Sequence, residues 1–253
     1  MFPKIYSKDI PSVNTDQMIE IDRMMKEDFN IEPLQMMENA GRQVAHMARL
    51  KFLNGSPKNY NILAMTGNGG NGGDAMVAAR LLSNWGANVY VALGKEPHEM
   101  SLLAKHQLNC LQRINLIKGT SNAADVTYLQ TKKFDLIIDG LIGFSLKGSP
   151  YGITGELINY ANYSNTPILS IDTPSGIDAG HGTVYNPAIR AAATLTLALP
   201  KTGLFVEGVQ EYLGELYLAD ISVPPELYSK PFLSKKVGPI FSQSEIIELV
   251  TAI

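Results

Sequence analysis

Three observations predict an α/β fold on a mostly parallel sheet. From Tyr60 onward, short runs rich in β-formers alternate with helical segments. The runs Leu136-Ile137-Ile138 and Pro167-Ile168-Leu169-Ser170-Ile171 lack period-two polarity, as strands covered by helices on both faces require. A loop of five glycines, two asparagines and an aspartate, Gly67-Asn68-Gly69-Gly70-Asn71-Gly72-Gly73-Asp74, separates the apolar run 60–66 from the helix-like run 75–85. Glycines there admit close backbone approach to a ligand, and a helix N-terminus behind them favours anionic oxygen.

In chain order, Asn14 followed by Gln17 is a capping-box pattern ahead of Met18, Ile21 and Met25 at helical spacing. Pro33 opens a second helix, whose stripe Leu34, Met37, Gly41, Val44, Ala45 and Ala48 ends near Asn54-Gly55. Met18, Met24, Met25, Met36 and Met37 read as adaptable core filler. The strand candidates are 61–65, 88–93, 114–118, 134–139, 168–172, 194–199 and 215–219. No long helix interrupts 195–220, which predicts that the last strand or two run antiparallel at an edge. Pro224-Pro225 closes the regular part, Lys235-Lys236 reads as a solvated turn, and 244–253 as an amphipathic run docking on the body or on a partner. A single domain over 1–253 is expected, with its core at about 15–222 and a C-terminal extension at 230–253.

With 45% hydrophobic and 18% charged residues in 253, the composition is that of an ordinary globular chain, not a disordered or membrane protein. A net charge of −3 argues against nucleic acid as the main partner. Cys110 is the only cysteine, which excludes an internal disulfide or a thiolate metal cluster; in the helical run 102–111 it reads as core packing. With no 18-residue apolar stretch and no secretory or presequence pattern, a reducing, cytoplasmic setting is the expectation.

Ligands of such sheets bind beyond the carboxyl ends of the strands. Gly67, Gly69 and Gly72 spell the G-x-G-x-x-G fingerprint, with Glu96 as a candidate ribose ligand, although Asp74 at the helix mouth would repel a diphosphate. A tight strand-to-helix turn without a ligand is the plainer alternative. Two further loops, 139–148 and 172–178, each begin with an aspartate directly after an apolar run. Burying Asp139 and Asp172 is costly without donors or a cation, unless each merely caps its own turn. The Asn71 amide, Asp139 carboxylate, Ser175 hydroxyl and loop carbonyls are hard oxygen ligands of low net charge, suited to a monovalent or weakly bound cation. His46, His98, His106 and His181 have no metal spacing, which argues against zinc; His98 and His106 read as one polar surface helix and His181 as an exposed turn residue. Lys201 is either a surface lysine or, pointing inward, a partner for a phosphate or an aspartate.

Five segments occur in a fixed order: Glu38-Asn39-Ala40-Gly41-Arg42; 67–74 continuing to Ala78-Ala79-Arg80-Leu81; Ile138-Asp139-Gly140-Leu141-Ile142-Gly143; Ile171-Asp172-Thr173-Pro174-Ser175-Gly176-Ile177-Asp178; and Pro200-Lys201-Thr202-Gly203-Leu204. Together, over about 15–220, the chain resembles the YjeF N-terminal domain family, the NAD(P)H-hydrate epimerases. The resemblance implies a three-layer αβα Rossmann-like sandwich, a homodimer, and interconversion of the R and S forms of hydrated NADH or NADPH. It implies that Gly70, Asn71, Gly72, Gly73 and Asp74, with Gly143, Phe144, Ser145, Leu146, Lys147, Gly148 and Ser149, hold the hydrated nucleotide. It further implies that Asp172 contacts this nucleotide and that Asn71, Asp139 and Ser175 bind one potassium ion per subunit. Gly70 and Ala75 replace an Asn and a Gly of the family pattern.

The hydrated cofactor carries a hydroxyl on a ring carbon beside nitrogen, so the nitrogen lone pair expels the hydroxyl once an acid protonates it, leaving a flat iminium open to water on either face. Asp172 is expected as acid and base with Lys201 tuning or anchoring it, a contribution of about 10²–10⁴-fold. A separate dehydratase is expected to act on the same hydrates. Two other readings are an oxidoreductase binding intact NAD(P) and a YjeF-type scaffold whose pocket persists without catalysis; the presence of Asn71, Asp139, Asp172, Ser175 and Lys201 favours a working pocket.

Overall fold

The computed structural model describes residues 2–116, 125–144 and 146–250. Its eight-stranded sheet comprises β1 (Lys4–Tyr6), β2 (Asn61–Thr66), β3 (Asn88–Leu93), β4 (Leu136–Gly140), β5 (Ile168–Ile171), β6 (Ala193–Leu197), β7 (Glu215–Ala219) and β8 (Ile246–Val250), in the spatial order β1-β8-β7-β6-β5-β4-β2-β3. Every pair is parallel except β7 with β8. From β2 the chain steps to β3 on one side and then to β4 on the other, so the order reverses between β2 and β4, where such sheets open a crevice.

The helices are α1 (Thr15–Glu27), α2 (Pro33–Met47), α3 (Gly70–Asn84), α4 (Leu102–Arg113), α5 (Val126–Gln130), α6 (Gly152–Tyr163), α7 (Gln210–Leu213) and α8 (Pro225–Tyr228). Alternate strand residues feed two cores. Ile62, Leu136 and Ile138 pack with α1, α2 and α3, whereas Leu63, Met65 and Ile137 pack with Leu157, Ile158 and Ala161 of α6, which completes the three layers. The Asn14–Gln17 capping box forms, with the Gln17 N–H donating to Asn14 Oδ1 at 2.8 Å, and Pro33 is the first residue of α2.

Several expectations are corrected. β7 runs parallel to β6, because the short turns after Thr202 and the four-residue α7 suffice to return the chain to the start of the sheet; only β8 is antiparallel, and β1 covers its outer side. Pro224-Pro225 does not end the regular structure, since Pro225 opens α8. The final run docks on the body, as expected of it, and does so as a strand: Ile246, Ile247 and Leu249 are buried, and 251–253 lie outside the described residues. The candidate strand 114–118 is not a strand at Ile114, which caps α4, and 117–118 lie outside the described residues. His98 sits in a separate 3₁₀ turn before α4, and Cys110 is half-buried beside the core, not within it.

Candidate active site

Four strand ends converge on one cavity of about 250 Å³, lined by residues of α1, α2, α3 and α4, the loop after β4, and the ends of β5, β6 and β7. Its polar lining is Asp22, Asn71, Asp74, Asp172 and Lys201; Met18, Met36, Met37, Phe144, Leu197 and Ile221 give it apolar walls. Met18, Met36 and Met37 therefore face a ligand space as well as the core. A larger hollow of about 970 Å³ lies at the opposite, amino ends of β4 and β5, between α5 and α6, and takes none of the three loops.

Asp172 follows β5 directly and closes a γ-turn: its φ is 66°, and the Thr173 N–H donates to the Ile171 carbonyl at 2.7 Å. A non-glycine residue held there is strained, a cost met typically at functional positions. The turn aims the carboxylate at Lys201. Asp172 Oδ1 accepts from Lys201 Nζ, from Thr196 Oγ1 at 3.2 Å and from the Leu197 N–H at 3.2 Å, while Lys201 Nζ also donates to the Leu197 carbonyl at 2.8 Å. Lys201 is 1% exposed, so it is not the surface lysine that the sequence leaves open. The N-terminal lead holds it in place, since Val13 bridges Lys201 in parallel, donating to the Pro200 carbonyl and accepting from the Thr202 N–H, each at 2.9 Å.

Behind this pair lies a second cluster. Asp139 accepts from Ser175 Oγ at 2.6 Å, the Ser175 N–H at 2.9 Å, Ser170 Oγ at 2.9 Å and the Leu141 N–H at 3.3 Å. Burial raises its carboxyl above the ordinary value, against the pull of the Ser175, Ser170 and Leu141 donors. Ser175 Oγ also lies 3.4 Å from the Ile142 carbonyl, which the Asn71 amide meets at 3.4 Å while donating to the Ile171 carbonyl at 2.7 Å. Asn71, Asp139 and Ser175 thus meet around one spot, with carbonyl oxygens and one formal negative charge. Gly143 is required beside it, because a Cβ there would stand 2.6 Å from Asn71 Oδ1.

Asp74 sits near the N-terminus of α3, just past its first turn and 6% exposed, and burial pushes its carboxyl well above the usual range, with Asp172 and Asp22 adding to the rise and Lys201 opposing it. Of the candidate ligand residues, Gly70, Asn71, Asp74, Phe144, Asp172 and Lys201 line the cavity. Gly72, Gly73, Gly143, Leu146, Lys147, Gly148 and Ser149 lie outside that lining, and Ser145 is outside the described residues. His181 is exposed, paired with Asp178 at 3.1 Å.

Residues 33–203 match the family model described as the YjeF-related protein N-terminus. The chain belongs to that family. An NAD(P)H-hydrate epimerase of Dehalogenimonas lykanthroporepellens is 37% identical to this YjeF domain over 92% of the chain and 91% of its own length. One of Plasmodium knowlesi is 32% identical over 82% of the chain and 68% of its length. A bifunctional NAD(P)H-hydrate repair enzyme of Moorella thermoacetica is 34% identical over 89% of the chain, which spans 43% of that relative. The crystal structure of a yeast protein superimposes with a TM-score of 0.76 and 27% identity, covering 95% of this YjeF domain and all of that chain.

Some residues of the YjeF segments serve architecture. Arg80 Nη2 donates to both Glu38 carboxylate oxygens at 2.7 and 2.6 Å, and Gln107 joins Glu38 at 3.1 Å, tying α2, α3 and α4 together. Three residues of the site escape the sequence reading: Asp22, Ser170 and Thr196. Each leaves a signal, since Asp22 stands one turn after Met18 on the apolar face of α1, and the two hydroxyls interrupt apolar strands that a buried sheet fills with aliphatics.

Proposed function

We propose that this YjeF domain is an NAD(P)H-hydrate epimerase, interconverting the R and S hydrates of NADH and NADPH. The observation that carries the reading is the buried Asp172–Lys201 pair opening on a cavity beside the glycine loop, in a chain 37% identical to a named epimerase. At about 250 Å³ the cavity falls below the usual range for whole drug-sized ligands and suits one hydrated nicotinamide ring. The phosphates then lie outside, over the start of α3, where a helix N-terminus favours anionic oxygen. Asp172, held in place by Lys201, Thr196 and the Leu197 N–H, faces the ring as it becomes an iminium.

The donor set Asn71, Asp139, Ser175 and the Ile142 carbonyl fits potassium, a hard monovalent ion compatible with one carboxylate and several neutral oxygens. These residues would hold it, and the ion would brace the three loops that shape the cavity. The reading carries with it a homodimer, a cytoplasmic setting, and a dehydratase acting on the same hydrates, the second activity that the name of the bifunctional relative points to. The test is chromatographic. Purified protein should equilibrate a single hydrate epimer faster than buffer alone, and faster in potassium than in tetramethylammonium chloride; no acceleration in either salt refutes the reading.

A further inference from the structure

Helix α1 brings to the cavity a carboxyl that the site described so far gives no task. Asp22 and Met18, one turn apart, both line the cavity, on the face of α1 that otherwise buries Met18, Ile21 and Met25. Asp22 makes no hydrogen bond or ion pair among the described residues. The titratable groups that bear on it are Lys201, Asp172 and Asp74. An unpaired carboxyl on an apolar helix face costs stability, and such groups concentrate where chemistry needs them.

The two carboxyls sit in opposite environments. Asp172 has three donors on a single oxygen, Lys201 Nζ, Thr196 Oγ1 and the Leu197 N–H. Asp22 has no donor, and burial pushes it up to about 6, with Lys201 holding it down and Asp172 raising it. Two carboxyls on one cavity, one held by donors and one without any, can divide the work of acid and base. Asp74, which also lines the cavity, is more deeply enclosed than Asp22 and so less free to exchange a proton with solvent.

We propose that Asp22 is a second catalytic carboxyl, serving the ring face turned to α1 while Asp172 serves the face turned to the strand ends. The proposal rests on the epimerase reading and deepens it. For one epimer, the Asp22 proton passes to the ring hydroxyl, the C–O bond breaks with its electron pair leaving on water, and the nitrogen lone pair forms the C=N bond. A water then adds to the ring carbon from the other face, the C=N pair returns to nitrogen, and Asp172 takes the proton released by that water. The other epimer runs the same steps with the carboxyls exchanged, and solvent returns the proton between turnovers. Atoms and electrons balance, and only the configuration changes.

The experiment compares wild type, Asp22→Asn and Asp22→Glu in the chromatographic assay, with thermal melting run in parallel. Asp22→Asn should lower kcat by at least ~10²-fold with little change in KM, and Asp22→Glu, which restores a carboxyl, should recover to within about tenfold of wild type. Asp22→Asn should melt at or above the wild-type temperature, because it removes an unpaired charge. Wild-type kcat should fall as pH rises through the titration of Asp22, a measurement that needs no variant. An Asp22→Asn enzyme with kcat within about threefold of an active wild type overturns the proposal and leaves the epimerase reading standing. Equal losses in both variants, or a wild-type kcat flat with pH, overturn it as well. A wild type that does not equilibrate the hydrates overturns the epimerase reading and this proposal with it.

Discussion

Asp172 and Lys201 form an ion pair with almost no access to water, and removing one member strands the other. Lys201→Met leaves the Asp172 carboxylate with only Thr196 and a backbone N–H, and should destabilise the protein by about 3–5 kcal/mol in urea unfolding at neutral pH. Asp172→Asn should slow epimerisation while largely retaining nucleotide binding, and adding it to Lys201→Met should cost less than the sum of the two single changes, because no buried charge then remains unpaired. An additive double variant would show that the two side chains do not act as a pair. The sequence places both residues just past apolar strands and so marks them as candidates, but it does not orient them. What turns Lys201 inward is the Val13 bridge, a contact between residues far apart in the chain, and no local pattern encodes it. Asp22 was legible only as an acid misplaced on an apolar face, a signal that gains meaning once α1 is seen to roof the cavity.

At the scale of elements, the glycine loop works because α2 and α3 approach closely behind it. Gly41 makes that approach possible: a Cβ there would stand 2.6 Å from the Asp74 carbonyl oxygen and inside the Val77 side chain. Gly41→Ala should force α2 away from the Asp74–Val77 part of α3, costing about 1–3 kcal/mol in denaturant unfolding and widening the cavity that both helices line. An alanine variant of wild-type stability would show that the contact gives way without strain. Strands β2 to β7 were readable as runs of β-formers, and α1 and α2 from their N-terminal signals. β1 and β8 were not: β1 has three residues, and Glu248 and Val250 of β8 are only half-buried at the flank of the sheet, so neither carries the unbroken apolar run of a central strand. Their place follows from pairing with each other and with β7, a tertiary fact.

Across the whole molecule, the site is a place where the fold gives up stability for chemistry, and pH exposes the cost. Asp22 and Asp74 have folded-state values raised above the ordinary aspartate value of 3.8, Asp22 to about 6 and Asp74 well above it. Between the unfolded and folded values the native state holds protons that the unfolded chain has released, so this contribution is fully present below the unfolded value and is lost as pH rises through the folded one. His46, lowered by burial and by Arg49, pulls the other way as pH falls, and Asp178, whose value the His181 and Gly180 donors help to lower, contributes only above the ordinary aspartate range. The comparison that isolates the site is therefore wild type against Asp22→Asn, which share every other titration. Asp22→Asn should be more stable by about 1–2 kcal/mol at pH 7.5, and the gain should shrink toward zero as the pH falls below 5, where Asp22 is protonated in the wild type. Urea melts at half-unit intervals of pH would check this. A gain that stays constant with pH would assign the effect to packing, and a loss at every pH would make Asp22 a structural residue with a partner in solution. The sign decides it, because a fold that keeps an unpaired acid against its ligand cavity is more stable without the charge.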